Sequence, residues 1–205
     1  MTAVDLKGSF DRIAEQYQRA RPSYPDGIYE RMLEFGAIDS SARLLEVGLG
    51  TGKATLPLAR RGLAILGLEP GPSLAELARA QLAEFANVDV QTVSFEDWRA
   101  TEGGFDLAFA AQAFHWLAPE QRLIKLAKAL KRHGTLAVFG NSAALAAGAV
   151  RDAVQRVYQE RAPTLRAHDH ARAMYGSAQS PIFSELQSSP LFTEQRCEIT
   201  AWQRE

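Results

Sequence analysis

An α/β fold, built as a mostly parallel open sheet with helices on both faces, is what this sequence predicts, and three observations predict it. Short apolar runs recur between amphipathic segments, the alternation expected of successive βαβ units. The first of the motif-bearing runs ends in an acid followed by glycines at every second position, Leu44-Leu45-Glu46-Val47-Gly48-Leu49-Gly50-Thr51-Gly52. The next ends in Gly67-Leu68-Glu69-Pro70, so two neighbouring strands deliver turns and carboxylates to one edge of the sheet, where such folds bind ligands.

Ser9 to about Ala20 reads as a polar helix and Asp26 to Phe35 as a second one that Gly36 can close. Residues 43–48, 64–69, 88–93, 105–111 and 135–140 are short, apolar and bounded by Gly, Asp or Asn, as strands covered on both faces are. Helices over 52–61, 73–85 and 119–132 join them. In the last, Pro119 stands near the start and Leu123, Ala127 and Leu130 share a stripe. Lys131, Arg132 and His133 would then complement the negative end of its dipole before Gly134. Residues 192–202 read as a sixth strand on which Cys197, Ile199 and Ala201 alternate toward a core.

Composition bounds the rest. A chain of 205 residues, 46% hydrophobic, can bury one core, and length favours a single domain. Its 23 basic and 24 acidic side chains leave a net charge of -1, so no long-range field recruits nucleic acid or an anionic membrane. One cysteine makes no internal disulfide, and neither a leader pattern nor a long apolar span is written, which sets the cytoplasm as the expected location. His168-Asp169-His170 looks like a metal cluster, but Arg166 and Arg172 flank it and no second ligand group lies at useful spacing, so no metal is expected.

Two other glycine-rich loops must be told apart from this one. A dinucleotide fingerprint needs a glycine three places after its second glycine, where this chain has Lys53. A phosphate-cradling loop needs a glycine five places before Gly-Lys and a Ser or Thr after it, where this chain has Val47 and Ala54. What remains is Glu-x-Gly-x-Gly-x-Gly with a downstream acid, a loop that lets backbone approach a ligand where a Cβ would collide. Lys53 reads as a solvated helix residue.

These residues resemble the first motif and the ribose-binding acid of the class I S-adenosylmethionine-dependent methyltransferases, and the likeness extends over most of the chain. The resemblance implies a Rossmann-like sheet and S-adenosyl-L-methionine as cofactor. Gly48, Gly50 and Gly52 would form the glycine loop, Glu46 the acid near the methionine end, and Glu69, followed by Pro70, the acid at the ribose hydroxyls. Ser94-Phe95-Glu96-Asp97-Trp98 resembles the segment that frames adenine; relatives often carry Asp where this chain has Ser94, so Glu96 or Asp97 would meet the adenine amino group. Gln112-Ala113-Phe114-His115-Trp116 resembles the border of the methyl-transfer chamber, with Gln112 and His115 its polar members and His115 the candidate proton acceptor; packing is the simpler role for Trp116.

The N-terminal stretch, with Tyr17, Arg21 and Tyr24, resembles the entry of small-molecule methyltransferases of the trans-aconitate methyltransferase-like group. It implies a lid over a small-molecule acceptor, or else a helix that merely covers the sheet edge. Residues 1–36 would be the lid, 40–140 the cofactor core, and 141–205 an incomplete C-terminal part, since no residues remain for the family's seventh, antiparallel strand. An open sheet edge and self-association through it are the corresponding expectation. Two competing functions accompany the methyltransferase reading: a nicotinamide-dependent oxidoreductase, and a truncated cofactor-binding protein without turnover.

Overall fold

The computed structural model describes Asp11 and residues 14–100, 102–142, 148–161 and 180–200. The described chain divides at Phe139 into two compact units. The first carries helices α1 (Ala14–Ala20) and α2 (Asp26–Phe35), then strand β1 (Arg43–Val47), helix α3 (Thr55–Ala59), strand β2 (Ala64–Glu69), helix α4 (Pro72–Gln81), strands β3 (Val88–Thr92) and β4 (Phe105–Ala111), helix α5 (Pro119–Ala129) and strand β5 (Leu130–Phe139).

The strands form one sheet in the order β3-β2-β1-β4-β5, every pair parallel. That order reverses direction at β1, so the crevice of a doubly wound sheet opens where β1 and β4 diverge at their carboxyl ends. The glycine loop follows β1 and Gln112 follows β4, which brings both to that crevice.

Burial on both faces explains the apolar residues of β1 and β4, which leave Arg43 and Asp106 near the strand starts and the buried Glu46 as their charged members. Leu44, Ile65, Leu107 and Phe109 join Tyr29 and Met32 of α2 and Leu58 of α3 in one core cluster. Leu45 and Ala108, a register pair one place on, point to the opposite face and are equally buried. There α5 packs through Leu126 and Ala129. β3 is an edge strand whose side chains stay half-buried or exposed. β5 pairs only with β4 among the described residues.

Helix α5 ends three residues before the position that its charge pattern predicts, and β5 starts five residues early. Leu130 already has extended backbone, and Lys131 forms an ion pair with Asp106 at 2.8 Å instead of facing a helix end. The register between β4 and β5 shifts at Phe105/Leu107, and His133 takes a left-handed φ of 67° next to Gly134. A bulge therefore absorbs what reads in the sequence as a last helical turn.

The second unit holds α6 (Ala149–Arg161) and α7 (Pro181–Ser188). Residues 192–200 form no strand, and Cys197 and Ile199 are exposed, which overturns their reading as a buried sixth strand. Two alternating side chains carry too little apolar surface to fix a strand, and Gln195 on the same face is polar, with its amide donating to the Leu186 and Phe192 carbonyls. His168, Asp169 and His170 lie outside the described residues. Ser180, buried, caps α7 by accepting from the Phe183 amide at 3.1 Å. Ser180→Ala should lower thermal stability by about 1 kcal/mol. Calorimetric melting checks this, and an unchanged transition would remove the cap from the account.

Candidate functional site

The site is built on two buried carboxylates at the ends of adjacent strands. Glu69, last residue of β2 and 6% exposed, accepts from the Gly50 amide at 2.7 Å through one oxygen and from the Gly71 amide at 2.9 Å through the other. One side chain thus ties the turn after β1 to the turn after β2. Burial pushes its carboxyl up, and the two amide bonds oppose this. Glu46, in β1 and 1% exposed, accepts from the Thr55 hydroxyl at the start of α3. Burial drives its carboxyl up to about 8, the Thr55 bond opposes that, and the neighbouring charge of Glu69 adds to it.

Between these acids the glycines do different work. Gly50 sits at φ +59°, and a Cβ there would meet nothing within 4 Å, so its backbone borders open space. Gly48, at φ +72°, is closed: a Cβ would collide with Ala113 just beyond β4. Its absent side chain lets the β1 and β4 turns touch. A Cβ on Gly52 would come within 2.9 Å of Leu82, so that glycine serves packing beneath the loop. Pro70 is exposed and leads into α4.

On the other side of the crevice Gln112 has a left-handed φ of 57°, unusual for a residue with a side chain. The Gln112 amide donates to the Phe139 carbonyl at 2.8 Å, and its side-chain oxygen accepts from the Arg21 guanidinium at 2.7 Å. Strain of this kind persists where surrounding bonds over-determine it, and it clusters at functional positions. His115 and Trp116 follow on a short 3-10 turn, Phe114–Trp116, with ring centroids 4.7 Å apart. Arg122, 8% exposed, locks that turn by donating to the Phe114 carbonyl at 3.1 Å, with its guanidinium 4.4 Å over the Phe114 ring.

The Ser94–Trp98 segment is bonded into its own turn. Ser94 accepts from the Asp97 amide at 3.0 Å and donates to the Asp97 carboxylate at 2.7 Å. Glu96 accepts from the Ala118 amide at the head of α5, and Lys125 donates to the Glu96 carbonyl at 2.8 Å. Both candidate acids hold protein groups. Phe95 is buried and stacks on Trp98.

Of the residues expected in the lid, Arg21 donates to the Gln112 side-chain oxygen at 2.7 Å. Tyr24 packs edge-on against Phe139, 5.0 Å between centroids, at the margin of the core. The side chain of Tyr17 lies outside the described residues. Three partners escaped the sequence: Gln18, bonded to Thr51 of the glycine loop and to Gln81 of α4; Asp11, which accepts from the Leu74 amide at 3.0 Å; and Thr55, the partner of Glu46. Only Thr55 carried a signal, a hydroxyl at the first position of the helix after the loop. Lys53 departs from its reading as a solvated helix residue. It lies in the turn ahead of α3, half-buried, and donates to the Arg21 carbonyl at 2.7 Å.

Among the described residues no three His, Cys, Asp or Glu side chains are grouped to hold a metal, and no helix is long and apolar enough to cross a membrane. Two buried carboxyl groups, whose oxygens accept, beside an open backbone suit a ligand rich in N–H and O–H donors.

Residues 45–138 match a family model described as a methyltransferase domain. The chain is 32% identical over 152 residues to an uncharacterised methyltransferase of Mycobacterium tuberculosis, an alignment that covers 72% of this chain and 58% of that protein. It is 28% identical over 197 residues to an uncharacterised methyltransferase of Bacillus licheniformis, covering 86% of this chain and 85% of the relative. Among solved structures it is similar to the CcbJ methyltransferase from Streptomyces caelestis, with a TM-score of 0.52 and 27% identity over 64% of this chain and 56% of that one. This chain thus spans little more than half the length of the first of these relatives. With their parallel strands and the loop at the β1/β4 crevice, residues 45–138 form a methyltransferase domain, on the fold of the class I S-adenosylmethionine-dependent enzymes.

Proposed function

We propose that the chain transfers a methyl group from S-adenosyl-L-methionine to a small-molecule acceptor. The observation that carries this is the pairing of two buried carboxyl groups, Glu46 and Glu69, with the open backbone at Gly50, at the crevice of the sheet. Glu69 would accept from the ribose hydroxyls, and Glu46 would lie toward the amino acid end. Gly48 and Gly52 would shape the loop from beneath. Ser94, Phe95 and Glu96 would frame the adenine, with Pro70 at the margin of the same pocket. Bound cofactor supplies an electrophilic methyl on a sulfonium.

The chain's own part is alignment. Gln112, held in its left-handed conformation, and Arg21 would form one polar wall of the acceptor chamber, with His115 and Trp116 on the neighbouring turn and Tyr17 and Tyr24 contributed by the N-terminal segment. Fixing the acceptor atom in line with the methyl would supply most of the rate. For a hydroxyl or amine acceptor, His115 is the group to take the proton; a carboxylate acceptor needs none.

Titration calorimetry should register binding of S-adenosylmethionine and S-adenosylhomocysteine and none of NADH, because the loop spacing leaves no pyrophosphate seat. Binding of NADH alone would overturn the reading. Transfer of a labelled methyl group to small molecules of a cell extract would then separate an enzyme from a binding protein.

A further inference from the structure

We propose that Lys53 is a positioning residue that anchors the N-terminal segment over the glycine loop by its main chain, so that Arg21 stays against Gln112. Four observations converge on it. Lys53 directly follows Gly52 and precedes α3, so its backbone moves with the glycine loop. Its ammonium donates to the Arg21 carbonyl at 2.7 Å, across 32 residues of sequence. That carbonyl stands one residue past the end of α1, where a helix leaves its last acceptors without intrahelical partners and a cation is favoured. The guanidinium of the same Arg21 donates to Gln112, whose backbone is held by the Phe139 carbonyl.

Two further ties of the N-terminal segment are of a different kind. Gln18 reaches Thr51 and Gln81 through neutral side-chain bonds, and Asp11 reaches the first turn of α4. Lys53 alone among these grips the main chain at Arg21 itself. Its bond is therefore blind to the side chain at position 21, and this separates anchoring of the segment from the use of the guanidinium.

Hydrogen exchange of the 205-residue chain, read by mass spectrometry, tests this without any ligand. In Lys53→Met, the amides of Gln18–Arg21 and Ser23 should exchange at least about tenfold faster, while those of Leu44–Val47 keep the wild-type rate. Lys53→Arg should restore protection, since a guanidinium can reach the same carbonyl, and a general loss of stability would not be rescued this way. Arg21→Ala should keep it too, because the carbonyl remains. Wild-type exchange at those N-terminal amides in Lys53→Met, or protection lost as fully in Arg21→Ala, overturns the proposal. A last arm rests on the cofactor reading: saturating S-adenosylhomocysteine should bind several-fold more weakly to Lys53→Met than to Lys53→Arg. Failure of that ligand to bind even the wild type would count against the cofactor, and the ligand-free contrast still decides Lys53.

Discussion

Gly50→Leu should abolish binding of S-adenosylhomocysteine while leaving a folded chain. Two costs are involved, and they separate. A side chain at φ +59° strains the backbone by about 1–2 kcal/mol, which lowers the melting temperature. The added Cβ meets no protein atom within 4 Å beyond its chain neighbours, so the side chain projects into the space proposed for the cofactor and should weaken its binding at least about a hundredfold. Gly62 provides the control, for it has φ +80° and equally open surroundings but lies in the turn before β2, at the opposite edge of the sheet. Gly62→Leu should be destabilised alike and bind normally. Glu69→Ala should cost binding about 1.5–3 kcal/mol by removing a charged acceptor. Calorimetric affinities unchanged in both Gly50→Leu and Glu69→Ala would remove the site from this crevice.

Stability should fall as pH rises from about 4.5 to about 8, through the titration of Glu46. Its carboxyl goes from an ordinary 4.5 to about 8 in the folded chain, chiefly because burial penalises the charged form. In that window the folded chain holds a proton that the unfolded chain has released. The stabilisation is therefore fully present below about 4.5 and lost through about 8, at up to about 1.4 kcal/mol per pH unit. Glu69 adds a slope of the same sign, since burial pushes it up as well. Asp39, Glu102 and Asp106, which their hydrogen bonds and lysine neighbours hold low, gain their stabilisation below the window. Glu46→Gln should thus flatten most of the decline in melting temperature between pH 5 and 8 and leave the part due to Glu69. Parallel melting profiles for variant and wild type would show that Glu46 is charged in the folded chain.

The strands and the loop were legible because their information is local. A buried parallel strand is written as a short apolar run, and the glycine loop as three residues spaced for left-handed backbone, so β1, β2, β4 and the position of Glu46, Gly50 and Glu69 follow from neighbours in the chain. The same local rules misread β5 and the Cys197 segment. A basic cluster after a helix has the same composition whether it meets the helix end or, as Lys131 does, an aspartate on the next strand. Two alternating apolar residues resemble a strand only until a partner strand is required.

What only the tertiary structure decided is which polar groups meet across long separations. Lys53 finds the Arg21 carbonyl, Arg21 finds Gln112, Gln18 finds Thr51, and Glu96 turns to the head of α5. Each partner was set by where the sheet brings loop ends together. A hydrogen bond constrains position in space and imposes no periodicity on the chain, so sequence alone determined the frame and the acids at its crevice, while folding determined what those acids and the N-terminal segment hold.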